Sequence, residues 1–152
     1  MPTFTTRSTL RCPPADVFAL VVDLSRWSLF RGAGPVPGIV RAQTEDGAPL
    51  GLGSRVRVTN TDGSVHHEVV VGFEPGRAYR VRMELTPPAS RVLASIEEDL
   101  ALTPTEDGGT SLVRTFVLKP TSALSSPVAW VASRFLERAV RAHDAEVARA
   151  LG

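Results

Sequence analysis

The sequence predicts an α+β fold in which a curved antiparallel sheet of about six to seven strands wraps around a long C-terminal helix. Three observations predict it. Hydrophobic residues recur with a period of two from Ile39 to Leu118. The period becomes helical after Ser126-Pro127 and stays so to the C-terminus. The early apolar run, Val17 to Leu24, follows Pro13-Pro14 and is too short to cover a sheet of that size.

The elements follow in order. Thr3 to Arg11 is Thr-rich and partly alternating, a strand that Pro13-Pro14 ends. Proline suits a first helical turn, where its missing N–H is unpaired anyway. Val17, Phe18, Leu20, Val21, Val22 and Leu24 then form a helix of about three turns, rich in β-branched residues and dependent on packing. Trp27, Leu29 and Phe30 precede Gly32 to Gly38, whose glycines and prolines predict a loop, either a mobile lid or a plain connection with a plug. Six strands follow: Ile39–Gln43, Arg55–Thr59, Val65–Phe73, Tyr79–Leu85, Val92–Leu102 and Leu112–Leu118. Asp46-Gly47, Asn60 to Gly63, Glu74-Pro75-Gly76 and Thr103 to Gly109 supply the turns, and Pro87-Pro88 breaks the chain. From Ser126, Val128, Val131, Phe135, Ala139 and Ala142 mark one helical stripe, which Leu136, Val140, Val147 and Leu151 widen. Arg134, Glu137, Arg138, Arg141, Asp144 and Arg149 are expected mostly elsewhere on this helix.

Composition narrows the functions. At 152 residues the chain is expected to form one domain, residues 1–152. Hydrophobic residues at 43% and charged residues at 22% argue against disorder. Lys plus Arg is 17 against 16 for Asp plus Glu, a balance that offers nucleic acid no footprint. One cysteine, Cys12, permits no intrachain disulfide and no cysteine-rich zinc site. The N-terminus lacks a secretory signal and Val17–Val22 is too short for a bilayer, so the expectation is a cytoplasmic protein without stable membrane insertion. There is no G-x-S-x-G, phosphate loop, H-E-x-x-H or dinucleotide fingerprint, and no cofactor is expected.

Alternation assigns the sheet faces. Val56 and Val58, then Val65, His67, Val69, Val71 and Phe73, are expected on the concave face, followed by Tyr79, Val81, Met83 and Leu85. Val92, Ala94, Ile96, Glu98, Leu100 and Leu102 continue it, as do Leu112, Arg114, Phe116 and Leu118. A single bulge would reverse any of these. Glu98 and Arg114 thus point inward, opposite or nearly so across the last hairpin. The pair reads either as a polar anchor in a pocket or as a structural ion pair, the commoner arrangement. His66 and His67 face opposite ways and cannot easily share a metal; His67 is the one expected inside, as a ligand contact or a partly buried structural histidine. Tyr79 orients a ligand group or packs with its hydroxyl at the rim. Met83, Phe116, Trp130 and Phe135 are wall candidates, and His143 faces the cavity or the helix edge near Glu146. Arg55, Arg57, Arg80, Arg82 and Glu84 belong to the wet outer face.

Several stretches carry a family resemblance: Cys12-Pro13-Pro14-Ala15-Asp16-Val17-Phe18 running on to Asp23 and Trp27, then Val71-Gly72-Phe73-Glu74-Pro75-Gly76-Arg77-Ala78-Tyr79, then Leu100-Ala101-Leu102-Thr103-Pro104 with Gly108-Gly109-Thr110. With these the whole chain resembles the START/Bet v 1-like superfamily, the SRPBCC or polyketide cyclase/dehydrase-like proteins. The resemblance implies a helix-grip fold and the binding of a small hydrophobic molecule (lipid, polyketide or related natural product) between sheet and helix. It equally admits a cyclase or dehydratase using cavity acid and base groups, and no shared catalytic motif carries over. The expected ligand contacts are His67, Val69, Tyr79, Val81, Met83, Ile96, Glu98, Arg114, Phe116 and Phe135, with no metal. A protein that only docks a partner would instead have a filled interior. The edge strands leave homodimerisation open.

Overall fold

The computed structural model describes residues 1–152. Strand β1 is Thr3–Leu10, helix α1 is Pro14–Val21, and a 3-10 turn spans Leu24–Leu29. Strands β2 (Gly32–Ala33) and β3 (Val36–Pro37) form a small hairpin inside the predicted loop. Then come β4 (Ile39–Thr44), β5 (Arg55–Asn60), β6 (Val65–Glu74), β7 (Ala78–Glu84), β8 (Leu93–Pro104) and β9 (Thr110–Pro120). Helix α2 closes the chain over Ser126–Ala150. The large sheet has seven strands in the order β1-β9-β8-β7-β6-β5-β4, all antiparallel. Antiparallel neighbours need only short turns, so every strand but β1 lies beside its sequence neighbour, and β1 closes the far edge on β9. The α+β helix-grip architecture expected from the sequence is the one observed.

Two details of the early helix differ. Helix α1 ends at Val21, not Leu24, because Asp23 begins a new turn by accepting from the Ser25 backbone N–H at 3.1 Å. Trp27 then donates its indole N–H to the Val21 carbonyl at 2.9 Å and folds the turn back on α1.

The sheet face follows the expected alternation on β5, β7 and β9 and departs from it on β6 and β8, where the ladder carries an extra residue. On β6 the register steps from Val70↔Val81 to Gly72↔Arg80, so Val71 is unpaired and half-exposed. Phe73 therefore faces inward with His66, Glu68 and Val70, while His67, Val69 and Val71 face out. Reading the whole strand in the phase of Phe73 reverses His66 to Val70, while Val65 at the strand's start still borders the interior as expected. On β8 a shift between Leu93 and Ser95 likewise turns Ala94 to solvent.

Helix α2 is also rotated from the expected face. Its buried line is Ala129, Ser133, Leu136, Ala139, Val140, Asp144 and Val147. Val128, Trp130 and Val131 are about half-exposed, and Leu124 just before the helix is almost fully so. Ala129 and Ser133 on this line are small and buried, and Ala132 beside them borders open space between helix and sheet. Trp130 is consequently not a wall residue.

Most buried apolar residues fall into two clusters. One joins Leu10, Val17, Phe18, Val70, Tyr79 and Val147, among others. The other joins Ile96, Phe116, Leu118, Ala129, Leu136 and Val140, among others. Between them runs a buried polar layer. On β9, Arg114 lies between Leu112 and Phe116; on β8, Glu98 lies between Ile96 and Leu100; on α2, Asp144 lies between Val140 and Val147.

The β2–β3 hairpin docks on α2 through Gly34. Its φ is +54°, and a Cβ there would lie 2.5 Å from the Phe135 ring. Gly47 has φ +72° with open space around it. Gly47→Ala should cost about 1–2 kcal/mol from the left-handed backbone alone. Gly34→Ala should cost more because the ring must also move, and urea unfolding of both variants reads the difference.

Candidate functional site

Between the concave sheet and α2 lies a cavity of about 600 Å³, lined mostly by hydrophobic side chains. The sheet contributes Tyr79, Met83, Ile96, Leu112, Phe116 and Leu118. Ala132, Leu136, His143 and Val147 come from α2, and Trp27, Leu29 and Phe30 from the turn after α1. Pro87, Pro88 and Val92 line it where the chain passes from β7 to β8. The exposed Arg26 and Asp62 also border it.

Two polar groups interrupt this apolar wall. The first is centred on Arg114. The register pairs Glu98 with Phe116 and Leu100 with Arg114, which sets Glu98 and Arg114 on one diagonal. Arg114 Nε donates to Glu98 Oε2 at 2.8 Å, and Nη1 donates to Asp144 Oδ1 at 2.8 Å. The same Nη1 donates to His143 Nδ1 at 2.8 Å, which leaves the imidazole proton on Nε2. Asp144 Oδ2 accepts from Thr6 at 2.9 Å and Ser8 at 3.4 Å, tying β1 into the cluster. The guanidinium stands over the Phe116 ring, 5.5 Å from its centroid. Glu98, Arg114 and Asp144 are all buried.

Electrostatics follow from burial. Burial pushes the Glu98 carboxyl up, and Arg114 opposes that shift. For Arg114 burial alone would favour proton loss, but Glu98 and Asp144 outweigh it and hold the charge firmly. Burial first, and the Arg114 charge second, pull His143 down to about 3, so it is neutral. Asp144 is the residue that sequence reasoning placed on the wrong side. Its signal was present: it continues the helical line Leu136, Val140 at the next four-residue step and precedes Val147 by three.

The second group is on β5 and β6. Asn60 donates its amide N–H to His66 Nδ1 at 3.0 Å, so His66 carries its proton on Nε2 and donates to Glu68 Oε2 at 2.9 Å. Glu68 is buried and borders the cavity with His66. Between the two groups the Tyr79 hydroxyl is buried with no hydrogen-bond partner. Burial pushes its pKa up, and the Glu68 and Glu98 charges push it further.

Of the residues expected at the site, Tyr79, Met83, Ile96, Glu98, Arg114 and Phe116 line the cavity. His67 does not: the β6 bulge places it on the outer face, its Nδ1 2.7 Å from Glu45 Oε1. Val69 shares that face, paired with Arg55 and Arg82. Val81 points inward but is packed within the first apolar cluster instead of the cavity wall. Phe135 packs against Gly34. The outer face otherwise holds the expected charges, with Arg55 2.8 Å from Glu84 and 3.2 Å from Glu45. No three His, Cys, Asp or Glu residues cluster as metal ligands, and no helix is long and apolar enough to cross a membrane.

Comparison with known proteins gives the same fold. The whole chain, residues 1–152, matches the family described as polyketide cyclase / dehydrase and lipid transport. Ara h 8.0201 superposes with a TM-score of 0.71 at 19% identity, over 96% of this chain and 97% of its own. A protein from Nitrosospira multiformis superposes with a TM-score of 0.74 at 14% identity, over 99% and 97%. The di-domain ARO/CYC BexL from the BE-7585A biosynthetic pathway superposes with a TM-score of 0.73 at 14% identity, over 98% of this chain and 46% of BexL. At these identities the likeness is one of fold. No curated protein matches by sequence.

The neutral His143 makes stability depend on pH. Its folded pKa of about 3 lies below the ordinary 6.5, so below pH 6.5 the unfolded chain takes up a proton that the folded chain refuses. Its contribution is complete above pH 6.5 and falls by about 1.4 kcal/mol per pH unit as pH drops toward 3. His143→Gln keeps an acceptor for Arg114 and cannot titrate. Denaturant unfolding from pH 7 to 4 should show a shallower loss for this variant; parallel curves would refute the assignment.

Proposed function

The chain belongs to the polyketide cyclase / dehydrase and lipid transport family, and on that premise we propose that it binds one small hydrophobic molecule (a lipid, a polyketide or a related natural product) between the sheet and α2. The observation that carries this reading is the apolar cavity of about 600 Å³. Protein interiors are packed to leave few voids larger than a water molecule, whereas small-molecule sites span about 300–1,000 Å³. Met83, Ile96, Phe116 and Leu136 supply apolar contact. Tyr79, Glu68, Glu98 and Arg114 orient the molecule. His67, Val69, Val81 and Phe135 have no part in it.

A second reading is a cyclase or dehydratase. Two buried carboxylates border the cavity on either side of a tyrosine hydroxyl that no protein atom holds. Glu68, backed by His66, would accept a proton, and Tyr79 would polarise a carbonyl oxygen. The two readings part on one variant. Glu68→Gln would abolish turnover of a polyketide substrate in an enzyme and only weaken retention in a carrier.

Filling the space tests the shared premise. Ala132 borders the cavity from α2. An uncharged fluorescent dye such as Nile red should bind the wild type one to one. Ala132→Trp should weaken that binding at least about tenfold, a loss of about 1.4 kcal/mol, with an unchanged circular dichroism spectrum. A wild type that takes up no dye, or a variant that binds it equally well, overturns the reading.

A further inference from the structure

On the premise that the cavity holds a ligand, we propose that it selects an uncharged apolar molecule bearing a hydroxyl or carbonyl group and turns away carboxylates. The free valences of the polar groups set this preference. Arg114 spends Nε on Glu98 and Nη1 on Asp144 and His143, which leaves the two N–H groups of Nη2 without a protein partner. The Tyr79 O–H is unpartnered and buried. These are donors waiting for an acceptor oxygen. Glu68 spends Oε2 on His66, and its other oxygen can accept from a hydroxyl. A buried polar atom left unpaired is costly, so a ligand that satisfies these atoms gains what a plain hydrocarbon cannot.

Charge decides against the alternative ligand, a fatty-acid-like anion. The lone guanidinium inside the cavity resembles a carboxylate receptor, but two carboxylates already sit on it, each at 2.8 Å. Glu68 stands on the far side with only His66 beside it, and His143 is neutral. Glu98 and Asp144 thus occupy the Nε and Nη1 donors of the guanidinium, Glu68 adds another carboxyl to the lining, and an incoming carboxylate would lose its water with no free cationic partner beyond Nη2. Arg26 and Asp62, one charge of each sign, border the opening and are exposed to water, which screens them. A hydroxyl or ketone meets no such penalty and uses the same donors.

The test uses the wild-type protein at pH 8 with Nile red bound, displaced by 1-decanol or by decanoate. The two probes share a chain length and differ in the head group. Decanol should displace the dye at a concentration at least about thirtyfold lower than decanoate. Tyr79→Phe, which removes one oxygen and keeps the ring, should weaken decanol about three- to tenfold. Glu68→Gln should narrow the gap between the probes. Decanoate equal to or tighter than decanol, with the dye bound, overturns the selectivity and leaves ligand binding standing. Failure of the wild type to take up dye removes both.

Discussion

The interior of this protein is organised around one buried guanidinium. Arg114 carries a charge into a space where an isolated ion is prohibitively costly, and it is tolerated only because Glu98 and Asp144 meet it with short, aligned hydrogen bonds. Those partners come from β8 and from α2, while Thr6 of β1 holds the far oxygen of Asp144. One hydrogen-bonded group thereby fixes how the last helix lies against three strands. Such a cluster adds little net stability compared with a well-packed apolar set. What it specifies is position: any rotation or sliding of α2 leaves a charge uncompensated.

The same layer explains how a cavity survives in a folded chain. Apolar residues on both sides would close on one another if nothing held them apart. The polar layer splits them into two clusters, and each satisfies its own packing. The small side chain of Ala132 borders the remaining gap from α2, while the bulky Val128, Trp130 and Val131 of its first turns are half-exposed. Space and polarity therefore arise from the same arrangement. The groups that hold the walls in place are the ones that border the space.

Much of the fold was legible in the chain. Proline and glycine marked nearly every break, and period-two runs marked the six strands after the β2–β3 hairpin, because a half-buried antiparallel sheet imposes strict alternation. Glu98 and Arg114 stood out as charges on an apolar phase, and both lie where that phase puts them. The failures have physical causes. His67 and Val69 share one alternating phase with Phe73, and one unpaired residue, Val71, breaks that phase. Asp144 was hidden by its charge, although its place on the helical line matched its neighbours. Phe135, Trp130 and Val131 are expected inward by hydrophobicity, but the buried line of α2 runs from Ala129 through Ser133, Leu136, Val140 and Asp144 to Val147, and Phe135 packs on Gly34 instead. Glu68 and His66 were missed with the same bulge that misplaced His67.

Val71, the unpaired residue of β6, has a consequence for how such a protein can change. Upstream of it the strand supplies cavity chemistry, and downstream it supplies ordinary packing. Losing or gaining one residue at that point would exchange His66 for His67 and Glu68 for Val69 at the lining while leaving the anchoring end near Phe73 in place. Related chains can therefore diverge in what they hold through a single insertion or deletion, with no lining codon altered. Comparing strand lengths at this position across relatives would then be more telling than comparing the identities of aligned side chains.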